Sequence, residues 1–80
     1  MSELRDFIEY IAKSLVDYPS EVEVMQIDGE KTVIFELKVN KGDIGKIIGK
    51  GGKTIKAIRT LLVTAAAKNG IRAVLEILED

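Results

Sequence analysis

Apolar residues along this chain alternate between a helical and a strand period, and the changes of period mark out its elements. Leu4, Phe7, Ile8, Ile11, Leu15 and Val16 follow the i, i+3, i+4, i+7 rule of an amphipathic helix. Ser2 is placed to cap that helix, Glu3 and Asp6 suit its positive end, and Pro19 stops it near Asp17-Tyr18. Residues Glu21 to Ile27 are β-branched and mixed polar, which predicts an outer strand, and Asp28-Gly29 begins a tight connection. Thr32 to Val39 then alternates, with Val33, Phe35, Leu37 and Val39 inward and Thr32, Glu36 and Lys38 outward. A short helix over Asp43 to Ile48, entered from Asn40-Lys41-Gly42, precedes a longer one over Thr54 to Lys68. The longer helix has Ile55, Ile58, Leu62, Ala65 and Ala66 on its core face, and Asn69-Gly70 ends it. Ile71 to Leu78 gives a last strand with Ile71, Ala73, Leu75 and Ile77 on one face. The predicted order is α-β-β-α-α-β.

Between the two later helices stands Ile47-Ile48-Gly49-Lys50-Gly51-Gly52-Lys53-Thr54-Ile55. Glycines at 49, 51 and 52 remove the Cβ atoms that hold a partner away and permit positive φ. The amides of Gly52, Lys53 and Thr54 fall where the next helix begins, so they are expected to be unpaired and, with the helix dipole, to favour phosphate. Lys50 and Lys53 add full positive charge. A nucleotide P-loop, G-x-x-x-x-G-K-[ST], requires glycine where Ile47 stands and a strand directly before the loop. The dinucleotide fingerprint G-x-G-x-x-G fails at Thr54. What remains is helix–GxxG–helix, with Gly49-Lys50-Gly51-Gly52 as the loop. A second GxxG, Gly42-Asp43-Ile44-Gly45, carries an acid and no outward lysine, and reads as a decoy.

Ile48, Gly49, Gly52 and Ile55 match the I-G-x-x-G-x-x-I core of KH domains, whose GxxG loop clamps about four nucleotides of single strand. The element order resembles the type II KH fold from end to end, and the chain as a whole resembles the bacterial stand-alone KH proteins of the KhpA family. The resemblance implies an α+β fold, a single KH domain over residues 1–80 with a three-stranded sheet and helices packed on one face. It also implies a single-stranded RNA-binding module, an RNA chaperone or post-transcriptional regulator. Its backbone clamp would be Gly49, Lys50, Gly51, Gly52, Lys53 and Thr54. A base groove floored by Ile48 and Ile55, with Ile44 and Val39 beside them, would take the bases, and Lys46, Lys56 and Arg59 would form a basic rim. Members of this family self-associate and pair with a second KH-containing protein, KhpB, in a role linked to cell elongation and division. The same is expected here on resemblance.

Composition narrows the chemistry. The chain has no cysteine and no histidine, so disulfides, thiolate metal sites and the commonest general base are all absent. No apolar run approaches the ~20 residues that span a bilayer, and the acidic N-terminal helix is no signal peptide, so a cytoplasmic protein with no membrane partner is expected. Acidic residues are scattered without active-site spacing. We therefore expect no enzyme, no cofactor and no small-molecule substrate.

The net charge of −1 is unevenly divided. Residues 41–59 hold six basic groups against Asp43 alone, whereas residues 1–40 hold four basic groups against nine acidic ones. The positive surface is thus gathered around the glycine loop. Two Phe and two Tyr, none near that loop, argue against recognition by aromatic stacking.

On the outer side of the long helix, Ala57, Leu61, Thr64 and Lys68 form a lightly charged stripe. It reads equally as an ordinary surface helix or as a helix-to-helix dimer face. A protein-interaction adaptor on a KH scaffold, with vestigial RNA binding, is the alternative function. The doubly basic loop favours RNA.

Overall fold

The computed structural model describes residues 2–79. Their order is α1 (Ser2–Leu15), β1 (Glu23–Asp28), β2 (Thr32–Lys38), α2 (Ile44–Ile48), α3 (Lys53–Ala67) and β3 (Arg72–Ile77). The strands form one sheet in the order β1-β2-β3. β1 and β2 pair antiparallel as a hairpin, in whose loop the Gly29 N–H donates to the Thr32 carbonyl at 2.7 Å. β3 lies parallel to β2. A tight turn cannot connect parallel neighbours, so the chain crosses over through α2 and α3.

The sheet buries one face. Val24, Val33, Phe35, Leu37, Ala73 and Leu75 are its buried residues. Leu4, Ile8 and Ala12 of α1, Ile47 of α2, and Ile55, Ile58, Leu62 and Ala66 of α3 complete the same core. Phe35, fully buried on the central strand, stands opposite Gln26 on one side and Leu75 on the other. Truncating such a ring to alanine typically costs about 3–5 kcal/mol, which makes Phe35 a centre of gravity for so small a core.

The first strand differs from expectation. Pro19–Glu21 closes a 3-10 turn, with the Val22 N–H donating to the Pro19 carbonyl at 3.2 Å, so β1 starts at Glu23 rather than Glu21. Leu15, expected on the core face of α1, is exposed where the helix ends, and Ala12 takes the core position instead. The cap expected from the Ser2 side chain lies outside the described residues.

Asp43, the acid of the decoy glycine motif, is only 1% exposed. Its two carboxylate oxygens accept the Asp17 and Tyr18 N–H groups, each at 3.1 Å, and Lys46 lies 3.5 Å away. This one side chain ties the end of α1 to the start of α2. Burial alone pushes its carboxyl up. The two N–H donors and the Lys46 ammonium outweigh that effect and hold its pKa below the ordinary 3.8. A depressed carboxyl stabilises the fold fully above that ordinary value, and the contribution is lost as pH falls through the folded value.

Asp43→Asn keeps the shape but turns an amide NH2 toward one of the two donors. The variant is expected to melt below the native chain at neutral pH. Between pH 5 and pH 2 it should also lose less further stability than the native chain, by thermal circular dichroism. Parallel pH curves for the two proteins would show that Asp43 is not the acid-sensitive tie.

Candidate nucleic-acid interface

The reversal between α2 and α3 is made in four residues. Gly49 follows the last residue of α2 at φ 78°, ψ 172°, a region open in practice only to glycine, and its N–H donates to the Gly45 carbonyl at 2.9 Å. A Cβ at this position would run into the Oγ1, Cβ and N atoms of Thr54. Gly51 (φ 64°, ψ 18°) and Gly52 (φ 78°, ψ 14°) are both left-handed, so Lys50–Gly52 closes as successive tight turns rather than a regular 3-10 helix, and Gly52 opens α3 without a side-chain cap. A Cβ at Gly51 or Gly52 would meet nothing within 4 Å. Gly49 is therefore required by the fold, while the surface over Gly51 and Gly52 is open to close approach.

The amides are not distributed as the sequence suggested. The Gly52 N–H is taken by the Gly49 carbonyl at 3.1 Å, and the Lys53 N–H by the Lys50 carbonyl. The Gly49 N–H is spent on closing α2. These successive i→i+3 turn bonds consume donors that a bare helix start would leave open. The Lys50 and Gly51 N–H groups take no part in these turn bonds. Thr54 is half-buried against Gly49, which makes it a support of the turn.

Positive charge is also partly committed. Lys50, Lys53 and Lys56 are exposed, and none takes part in the ion pairs among the described residues. Lys46 is held by Asp17 at 3.2 Å and by Asp43 at 3.5 Å, and the Asp17 carboxylate foremost raises its pKa above 10.5. Arg59 donates from Nε and Nη2 to the Leu75 carbonyl, at 3.2 and 3.0 Å. Of the three basic residues expected on the rim, only Lys56 is uncommitted.

A shallow groove beside the turn is lined by Ile48, Ile55, Arg59, Ile77 and Glu79. Ile48 and Ile55 contribute at once to this groove and to the core. Neither of the other two expected floor residues is brought here: Ile44 is half-buried on α2, and Val39, 6% exposed, is packed inside just after β2. Ile77 and Glu79 were missed, because only the parallel register, which sets Ile77 beside Leu37, carries the end of β3 to the groove. Along the open edge of β3 a second depression continues past Arg59, Leu62, Val63 and Arg72. On the opposite flank, Ala57, Leu61, Thr64 and Lys68 are all exposed on α3, as expected. Leu61, Thr64 and Lys68 border a depression shared with Leu4 and Phe7 of α1.

A four-residue glycine turn between two helices, carried on a β-β-α-α-β frame with a leading helix, defines a type II KH domain of the α+β class. A family model described as "KhpA/KhpB, KH domain" matches residues 5–77, and the chain belongs to this family. Among its relatives, the RNA-binding protein KhpA of Chlamydia caviae is 57% identical over 96% of this chain and 99% of its own length. The Aquifex aeolicus protein of the same name is 51% identical over 99% of this chain and 100% of its own. That of Clostridium acetobutylicum is 51% identical over 94% of this chain and its full length. No solved structure matches the chain.

Gly49→Ala is expected to destabilise the fold by about 1–3 kcal/mol from backbone strain alone, with the Thr54 clash in addition. Combining it with Thr54→Ala should recover only the part of the clash made by Oγ1, since the Cβ and N atoms of residue 54 remain. Urea denaturation of the single and double variants checks both parts, and a native-like midpoint for Gly49→Ala would refute the glycine-only reading.

Proposed function

We propose that this chain is a single-stranded RNA-binding module, acting as an RNA chaperone or post-transcriptional regulator, with the Gly49–Gly52 turn as its backbone clamp. The observation that carries the reading is the open surface over Gly51 and Gly52, flanked by Lys50 and Lys53 outside any ion pair among the described residues. A phosphate laid over that surface meets the Lys50 and Gly51 amides, with both ammonium groups within reach of their flexible stems. Bases turned away from it enter the apolar groove of Ile48, Ile55 and Ile77, where Arg59 and Glu79 offer polar edges. The relatives' printed name, RNA-binding protein KhpA, supports the same partner. A binding module with no catalytic step accounts for these features, and a cytoplasmic setting suits an RNA partner. An adaptor with vestigial RNA binding would leave the lysines and the open glycine surface without a use.

Lys50→Asp combined with Gly51→Asp tests the clamp. Asp is among the few residues that enter the left-handed region with little strain, so the variant should remain folded. Fluorescence anisotropy with a labelled degenerate single-stranded RNA should show tight salt dependence for the native chain. With three phosphates neutralised, log K should fall with log salt at a slope of roughly −2. The folded variant should lose at least about tenfold in affinity, more than one contact's worth. Equal binding by the two proteins would remove the clamp from the reading.

A single module gripping about four nucleotides binds weakly, so we also infer assembly, as a homodimer or with a KhpB-like KH protein. Leu61, 54% exposed beside the depression between α1 and α3, supports a contact there. Leu61→Asp should yield a folded monomer. Sedimentation velocity unchanged by the substitution would eliminate this face.

A further inference from the structure

The face of the sheet turned away from the helices is not the polar surface that a half-covered sheet normally presents. Ile27, Ile34 and Val74 stand side by side across all three strands. Ile27 is 49% exposed, and Met25, in the next row, is 47% exposed. In that same row Met25 neighbours Glu36, and Glu36 neighbours Glu76 across the parallel pair. Two carboxylates directly opposite one another destabilise a sheet, and neither takes part in an ion pair among the described residues. Lys38, the nearest outward cation on the central strand, is in register with Glu23 instead.

Both edges of the sheet are occupied by arginine. Arg5 donates from Nε to the Val24 carbonyl at 3.0 Å on the β1 edge, as Arg59 does to Leu75 on the β3 edge. A partner that added a strand would have to displace one of them. The outer face itself carries no such contact, and its cation on β3, Arg72, stands in the row of Thr32, two rows away from Glu36 and Glu76.

We propose that this face docks a basic amphipathic helix of a partner protein. Its apolar stripe would cover Ile27, Ile34 and Val74 with Met25, and its lysines or arginines would separate and neutralise Glu36 and Glu76. Charge complementarity selects this occupant: RNA phosphate is repelled by the paired carboxylates, and an acidic partner likewise. A helix laid on the open face also completes the layer that a sheet with one bare apolar side lacks. Because the glycine turn belongs to the helical layer on the other side, the two surfaces are available together, and this inference does not rest on the RNA reading.

The test is amide NMR of the full chain titrated with a designed leucine–lysine amphipathic helical peptide, with its leucine–glutamate counterpart as control. Shifts are expected at Met25, Ile27, Ile34, Glu36, Val74 and Glu76 with the lysine peptide only. The Glu36→Gln, Glu76→Gln double variant, checked for folding by circular dichroism, should bind it roughly tenfold more weakly, the scale of losing two partly exposed ion pairs. Shifts mapping elsewhere, equal binding of the two peptides, or an unchanged variant would overturn the proposal. Dilution-dependent shifts of the same amides without peptide would overturn it too, by making a second copy of the chain the occupant.

Discussion

The parallel pairing of β2 with β3 is the constraint from which the rest of this structure follows. An antiparallel third strand would need only another hairpin. A parallel one forces the chain back across the sheet, and the crossover must bury an apolar face on the way. Here it does so with two helices, and two helices in so short a crossover require a reversal within four residues. That reversal places Gly49 in a backbone region closed to other residues and packs Thr54 against it. It also leaves the Lys50 and Gly51 amides outside the turn bonds. The glycine turn is thus a geometric product of the crossover, and Asp43 anchors the first crossover helix to the end of α1.

Most of this was legible in the sequence because it depends on local pattern. Period, β-branched composition and the turn residues together gave the order and type of the three helices and three strands, and the isoleucine–glycine frame located the turn. The parts that were not legible depend on long-range geometry. Asp43 looked like the weak point of a false motif, yet its carboxylate is satisfied by amides 25 and 26 residues earlier in the chain. Nothing in a four-residue window signals such a partner. Lys46 and Arg59 belonged to the basic cluster by position along the chain. Their engagement by Asp17 and by the Leu75 carbonyl is decided in three dimensions. The same holds for Val39, which alternation correctly turns inward and which is for that reason withdrawn from the groove. The amides failed for a subtler reason: a glycine turn before a helix can leave its N–H groups open or close them in tight i→i+3 turns, and sequence does not distinguish the two.

The proposed binding of a polyanion by an acidic protein raises a question of scale. The molecule measures about 35 × 23 × 21 Å along its principal axes. At physiological ionic strength the screening length is about 8 Å, well short of any of these dimensions. A strand approaching the glycine turn therefore responds to the nearby lysines rather than to the net charge of −1. Segregation, not sum, sets the sign of the encounter. Even so, the local field is smaller than the count of basic residues suggests, since Lys46 is paired with two carboxylates and Arg59 is held at the sheet edge. What remains is Lys41, Lys50, Lys53 and Lys56, a charge suited to a few phosphates and too small to hold duplex nucleic acid by electrostatics alone. A weak, short-range grip of the proposed kind gains strength by being repeated, which is why the proposed assembly face matters as much as the proposed clamp.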